Sequence, residues 1–595
     1  MSWMIGWLSD ALPPDAPDIL SSGRANILCR VSAPSLCIVA GGIPQTFRSP
    51  PAAPPHGETE SGWIVCGLGI RRGGDGCTFL SDTDWGSLLS PGKAPDLRAL
   101  DGHFVVCRWA QGTLEAFSDQ LGLRTLYAAQ TPRGVFFSTR LDWIAGLPGD
   151  AAVDFRQLGP RWLSFNQYSY ESCIRGVQRL GPGGYGVFTT GGVQLRATLW
   201  QPAPVDRGGV QEVLPRLRSL TQPALPGGGR ISLGLSGGLD SRTLLAVLST
   251  GKAPFDVHIF GSESDPDVGT AIRIANGEHL HASLFNDPVP EADECLRRMS
   301  EFAAQAALCE PATSALRLGY YGRIQAENKL MLDGGFGEFL RRQFLNRLLF
   351  RGRGALTTLD PAAVSRFLTV DRGRIFTPET LKTMEEGVTL QLREALESMP
   401  PISETGRGNF LDLFTIRYRV PNYAGPEQAR LDGSALNYTP YVQPSLLDIA
   451  FSIPATERAN GRIFKRLIRD LAPSLARYPL AKSGTTYPFG LGSVQSWLWT
   501  NVRSRIGRPY QDMTRHEVLA RIREFVLDSI GSRDVRSYGA YDMEYVARSA
   551  QEYYRGNLRW ARTLDWWLTF ELWRRSLGGG RNRGFLTLPG DMHIL

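Results

Sequence analysis

The chain has 595 residues, 42% hydrophobic and 21% charged, with 65 Gly and 39 Pro, which excludes disorder, collagen and coiled coil as its main state and gives material for roughly two to four domains. Lys and Arg exceed Asp and Glu by 65 to 58, a net charge of +7, and the basic pairs (Arg71 with Arg72, Arg341 with Arg342, Arg574 with Arg575) form no long stripe, so nucleic acid is not the expected partner. No apolar run approaches the roughly 18–20 residues of a membrane span, and the first basic residue, Arg24, follows three aspartates, so a cytoplasmic protein without a secretory signal is expected.

In chain order, residues 27–31, 63–68, 104–108, 113–117 and 135–138 alternate polar and apolar side chains between Gly, Pro and Asp, predicting a β-rich first domain over 1–200. Residues 44–55 are a proline-dense loop without periodicity. A hairpin over 185–188 and 193–199 turns at Thr190-Gly191-Gly192 and closes the domain at Trp200. Residues 201–229 read as a linker around one short amphipathic helix. The eight cysteines (Cys29, Cys37, Cys66, Cys77, Cys107, Cys173, Cys295, Cys309) form no CxxC pair and read as buried thiols.

From residue 230 strands alternate with helices: 231–235, 255–260 and 281–285 against 242–248 and 268–275. That pattern argues for a parallel α/β sheet, with a mainly helical remainder to about 580 and a tail over 581–595. Trp560, Leu564, Trp567, Leu568 and Leu572 repeat at helical spacing over 557–576 and read as core.

The first of these strands runs through Gly234 and Leu235 directly into Ser236-Gly237-Gly238-Leu239-Asp240-Ser241 and a helix. A strand that delivers a glycine turn to a helix N-terminus presents free N–H groups and the positive end of the dipole, a seat for phosphate. Gly237 and Gly238 allow close backbone approach, Ser236 and Ser241 add hydroxyls, and Asp240 is placed to hold Mg²⁺. The Walker form is absent. Gly234-Leu235-Ser236-Gly237-Gly238 also satisfies GxSxG, which leaves a serine hydrolase using Ser236 as a reading from a different class.

These residues resemble the asparagine synthetase superfamily, whose ATP-pyrophosphatase domain opens with SGGxDS. Residues 260–267, beginning at Phe260, resemble the strand and acidic loop that flank the adenine. Asp333-Gly334-Gly335-Phe336-Gly337-Glu338 resembles the SGEGSDE segment; 437–443 resembles a later turn; 464–473 with Lys482 and 487–489 resembles the segment around the catalytic lysine, with Lys465 lying nearby. In the first half, 100–104, 118–127, 137–138, 180–184 and Trp200 resemble the family's amidotransferase skeleton. The resemblance implies an α/β fold in two parts, an N-terminal αββα amidotransferase-like domain of Ntn type and a C-terminal parallel ATP-pyrophosphatase domain over 230–580 with extra helices. It implies ATP as substrate and Mg²⁺ on Asp240 and Glu338, with Gly234, Leu235, Ser236, Gly237, Gly238, Ser241, Phe260, Asp333 and Gly334 around the nucleotide and Lys482 stabilising charge.

A glutaminase of this kind uses an N-terminal cysteine, whereas this chain begins Met1-Ser2-Trp3-Met4 and has no NGE-type motif, so the first domain is expected to be degenerate. An intact activation site without an ammonia source implies another amine. Gly335 stands where asparagine synthetases carry a glutamate and β-lactam synthetases a tyrosine, which favours a lasso peptide cyclase. In that activity ATP adenylates an Asp or Glu side chain of a precursor peptide, and the peptide's N-terminal amine captures it with release of AMP. Glu427 is the candidate for the amine's proton, and a leader peptidase and a leader-binding protein are the partners the resemblance implies. A β-lactam or asparagine synthetase-like ligase and a non-catalytic ATP-binding protein are the other readings.

Overall fold

The computed structural model describes residues 2–50, 60–73, 76–93, 95–147, 152–205, 208–225, 229–482, 484–506 and 510–578. The strands of the first part are β1 (Trp3–Leu8), β2 (Ile27–Ala33), β3 (Leu36–Gly41), β4 (Phe47–Arg48), β5 (Ser61–Arg72), β6 (Cys77–Phe79), β7 (Asp101–Ala110), β8 (Thr113–Ser118), β9 (Tyr127–Thr131), β10 (Gly134–Ser138), β11 (Val177–Arg179), β12 (Tyr185–Thr189), β13 (Gly192–Arg196) and β14 (Pro223–Ala224). They build a six-stranded antiparallel sheet, β11-β9-β10-β1-β3-β2, and an eight-stranded sheet, β13-β12-β8-β7-β5-β6-β14, with β4 on β5.

The two sheets face each other. Met4, Leu8, Ile38 and Phe137 from one interdigitate with Ile64, Cys66, Val105 and Phe188 from the other. Because successive side chains of a strand point to opposite faces, Trp3, Ile5 and Trp7 of β1 face outward. There they pack on helices Leu141–Ile144, Phe155–Leu163 and the far C-terminal helix Ala561–Leu577. The eight-stranded sheet's outer face holds Trp63, Val65, Phe104 and Val106 under the helix Asp82–Leu88. Helix, sheet, sheet, helix is therefore the layer order, and the expected core role of the tail aromatics holds, with Trp567 and Leu568 fully buried.

Two segments differ from the sequence reading. Part of the proline-dense loop is ordered as the turn Pro44–Thr46 and β4, whose Phe47 pairs with Cys66; residues 51–59 lie outside the described set. The segment 201–229 is more than a linker. Its helix Val213–Thr221 buries Val213, Leu217 and Leu220 in the second part's core, and β14 pairs in parallel with β6. Five prolines masked an element whose one apolar face is what ties the two parts. The expected tail, 581–595, lies outside the described residues.

The second part holds a five-stranded parallel sheet of β15 (Ile231–Gly234), β16 (Phe255–Phe260), β17 (Ala282–Phe285), β18 (Leu330–Leu332) and β19 (Asn437–Tyr438), in the order β17-β16-β15-β18-β19. The sheet thus grows outward from β15 in both directions, and the switch point lies between β15 and β18. In open parallel sheets a ligand crevice forms beyond the carboxyl ends of the strands at that point.

Between the two parts runs a buried polar network. Asp432 accepts from Arg124 Nη1 at 2.5 Å and from Gln428 Nε2 at 3.0 Å, and its Oδ1 lies 2.9 Å from His103 Nε2. Arg124 Nη2 also donates to the Ser2 carbonyl at 2.6 Å. Burial alone would push the Asp432 carboxyl up, but His103 and Arg124 hold it below its ordinary value. This contribution to stability is therefore full at neutral pH and is lost only as acid protonates the folded carboxylate. Asp432→Ala strands the buried Arg124, and a loss of about 3–5 kcal/mol in urea unfolding is expected at pH 7; unchanged stability would mean the network carries no net energy.

Candidate active site

The loop after β15 is fixed from both sides. Leu235 donates its N–H to the His258 carbonyl of β16 at 2.9 Å and buries its side chain, so only its carbonyl remains to face a ligand. Ser236 and Ser241, expected to point hydroxyls at phosphate, instead clasp each other: Oγ to Oγ is 2.9 Å, and Ser241 Oγ takes the Ser236 N–H at 3.1 Å. Gly238 donates to Ser236 Oγ at 3.1 Å. The clasp holds the turn tight, and Gly238 opens the helix Leu239–Ser249 with no side-chain cap, so the helix's first N–H groups face the crevice without a side-chain acceptor at the cap.

Beyond the switch point, the turn after β18 closes on this helix end. A Cβ on Gly334 would lie 2.9 Å from the Ser241 N, and one on Gly337 only 2.4 Å from Asp240 Cγ. Both positions therefore require glycine for close approach. Phe336, Arg342 and Leu345 have φ of +65°, +50° and +53°, three non-glycine residues in the left-handed region within ten positions, the backbone strain typical of functional turns.

This turn brings Glu338 beside Asp240, with Arg341 bridging them: Nη2 lies 2.6 Å from Asp240 Oδ2 and 3.4 Å from Glu338 Oε1. Burial pushes the Asp240 carboxyl up to about 7, with Arg341 opposing and Glu338 and Asp333 adding to the rise. Its Oδ1 is buried with no partner. An unsatisfied carboxylate oxygen beside a second carboxylate suits a hard cation, so Asp240 and Glu338 fit Mg²⁺, which takes one or two protein carboxylates and completes its shell with phosphate oxygens and water. Among the described residues no three His, Cys, Asp or Glu gather as a metal cage.

The two lysines separate cleanly. Lys465 is buried and donates its Nζ to the Leu491 carbonyl at 2.6 Å. Lys482 ends β20 (Leu480–Lys482), which pairs with β21 (Thr485–Tyr487), and is exposed. The neighbouring Ala481 N–H bonds the Gly237 carbonyl at 3.0 Å, so β20 is docked on the glycine turn itself. Arg242, fully buried, reinforces this by donating to the carbonyls of Gly237 at 3.1 Å, Tyr478 at 2.9 Å and Pro479 at 2.8 Å.

Two further groups line the crevice. At the end of β16, Phe260 is 45% exposed and stacked on Tyr320 at 5.1 Å and 16°, an aromatic shelf with an open edge. Glu427, on the helix Gly425–Leu431, is half-buried; burial and Glu310 push its carboxyl up to about 7 against Arg430, and Asp333 adds to the rise. Tyr423 donates to Glu310 Oε1 at 2.9 Å. Asp333 itself is exposed and accepts the Gly335 N–H at 2.6 Å. Sequence reasoning missed Arg341, Arg242, Glu310 and Tyr423. Arg341 could have been found as a cation three positions beyond Glu338, and Tyr423 as a neighbour four positions before Glu427 on one helical stretch; Glu310 shows no local signal.

The serine hydrolase reading finds Ser236 Oγ bonded to Ser241 and Gly238, while His258 Nδ1 is engaged by Ser232 Oγ at 2.8 Å. No family model matches the chain, and no curated protein matches it. Similar solved structures include the allosteric regulatory enzyme of purine biosynthesis, at 13% identity over 60% of this chain and 78% of that one, with a TM-score of 0.22.

If the crevice takes ATP, Gly337→Ala forces Asp240 aside, and ATP affinity by calorimetry should fall at least roughly tenfold. Gly335→Ala, whose Cβ would meet only Asp333 Oδ1 at 3.3 Å and Thr439 Cγ2 at 3.8 Å, should change it by less than about twofold. Equal effects would dissociate Asp240 from the ligand.

Proposed function

We propose that the protein is an ATP-dependent, AMP-forming amide ligase, a lasso peptide macrocyclase that joins an Asp or Glu side chain of a peptide to that peptide's own N-terminal amine. The observation that carries the first half is the switch point, where an uncapped helix N-terminus and an orphaned Asp240 oxygen lie beside a strand that is docked on the glycine turn through Ala481 and ends at the exposed Lys482. Those are groups for a polyphosphate and its charge.

In this reading the N–H groups of Leu239 and Asp240 at the helix start hold the pyrophosphate, and the shelf of Phe260 and Tyr320 flanks the base. Mg²⁺ on Asp240 and Glu338 would neutralise phosphate charge. The peptide carboxylate attacks the α-phosphorus, pyrophosphate leaves, and Lys482 offsets the negative charge that develops there. The amine then attacks the acyl carbon, Glu427 accepts its proton, and AMP departs. Holding both ends of one peptide in reach replaces an ammonia supply with proximity, worth effective molarities of about 10⁵–10⁸ M.

The peptide choice draws on two observations. Ser2 is fully buried and its carbonyl accepts a hydrogen bond from Arg124 Nη2. Gly335 adds no side chain beside Asp333, where a Cβ would meet only Asp333 Oδ1 at 3.3 Å and Thr439 Cγ2 at 3.8 Å. A leader peptidase and a leader-binding protein remain the expected partners.

Incubated with Mg-ATP and a leader-processed core peptide, the protein should yield AMP, pyrophosphate and a peptide lighter by one water. Lys482→Ala should lower kcat by about 10²-fold or more, whereas Lys465→Met, which keeps the stem and removes only the ammonium, should leave it within a few fold; the reverse ranking would move the charge-stabilising role to Lys465. Glu427 must be ionised to accept a proton, so the rate should rise with pH through about 7. In Glu427→Gln only the peptide amine's own limb near about 8 should persist, with kcat down by about 10²-fold. A wild-type profile flat between pH 6 and 7.5 would remove Glu427 from the mechanism.

A further inference from the structure

The two carboxylates assigned to the metal do not face an open space; they face a guanidinium. Arg341 Nη2 sits between Asp240 Oδ2 and Glu338 Oε1, at 2.6 and 3.4 Å, and Nη1 donates to Gln343 Oε1 at 2.5 Å. Two buried atoms there lack partners: Arg341 Nε and Asp240 Oδ1. The arginine's fork is thus only partly satisfied by the carboxylates, and the remaining donor is idle.

A divalent ion bound by both carboxylates would need the position the guanidinium holds, because Mg²⁺ requires its oxygens at about 2.0–2.1 Å. Arginine cannot surrender its charge to make way. A hydrated ion arriving alone would have to break a charge-assisted pair and leave a buried guanidinium without a counter-charge. Polyphosphate changes that balance, since its oxygens match the planar fork and can satisfy Nε as well.

Building on the ATP-site reading, we infer that Arg341 is the resident cation of the nucleotide-free site, holding the metal's place between Asp240 and Glu338 and moving to phosphate when nucleotide arrives, so that metal enters with nucleotide and not before it. Nucleotide and metal are then coupled through one side chain, and the coupling is reciprocal: each raises the other's affinity by the same factor.

The test uses Mn²⁺ as probe, with free ion followed by electron paramagnetic resonance, on the purified full-length protein with and without α,β-methylene-ATP. Wild type should take up Mn²⁺ tightly only in the presence of the analogue. Arg341→Met should bind Mn²⁺ alone at least roughly tenfold more tightly than wild type, since the competing charge is gone, and lose most of the nucleotide dependence. Equal nucleotide-free affinity in the two proteins, with both still binding Mn²⁺ and analogue together, would overturn the role of Arg341 and leave the ATP site standing. Failure of wild type to bind Mn²⁺ with the analogue would overturn the ATP-site reading and this inference with it. If Arg341→Met does not fold, Arg341→Lys carries the test, because its shorter point charge cannot span both carboxylates: a gain in nucleotide-free Mn²⁺ affinity supports the inference and unchanged affinity overturns it.

Discussion

The second part of the molecule is organised around one short piece of backbone, Ser236 to Gly238, that leaves the end of a central parallel strand and begins a helix without a cap. Uncapped N–H groups at a helix start carry partial positive charge and want an anion. Every neighbouring element is arranged to keep them available. The Ser236 and Ser241 hydroxyls satisfy each other instead of capping the helix, Gly334 and Gly337 let the next turn approach to contact distance, and Arg242 and Ala481 grip the Gly237 carbonyl from behind.

Charge is balanced with equal economy. Burial raises the Asp240 carboxyl, Arg341 opposes the rise and Glu338 adds to it. Through Asp432, Arg124 and His103 the first part braces the end of the helix that carries Glu427, about five residues away along the chain. The sandwich thereby fixes the position of a helix of the neighbouring part.

The turn over residues 236–241 was legible in the sequence because its signal is local, six consecutive residues at a strand-to-helix junction. In the first half β2 and β8 alternate in burial and were visible for that reason, whereas β5, β7 and β10 are buried on both faces and showed themselves as short runs between Gly, Pro and Asp. β1 and β3 were missed, because both of their faces are buried and a continuous apolar run carries no period. The helix Val213–Thr221 hid among prolines and glycines. Arg341 escaped notice because its partner Asp240 lies 101 residues earlier, and Glu310 because only the folded chain brings it to Tyr423 and Glu427. Lys482 could not be separated from Lys465 by residue type; a hydrogen bond to Leu491 separates them.

The central claim is that a carboxylate is activated by transfer of the adenylyl group at this crevice. The most direct measurement is oxygen tracing: a core peptide with ¹⁸O in the reacting side-chain carboxylate, turned over with Mg-ATP and analysed by mass spectrometry of the nucleotides. Attack on the α-phosphorus carries one labelled oxygen into AMP while pyrophosphate stays unlabelled, and that is the expected result. Label in inorganic phosphate alongside ADP, or cyclised peptide with unlabelled AMP, would contradict it.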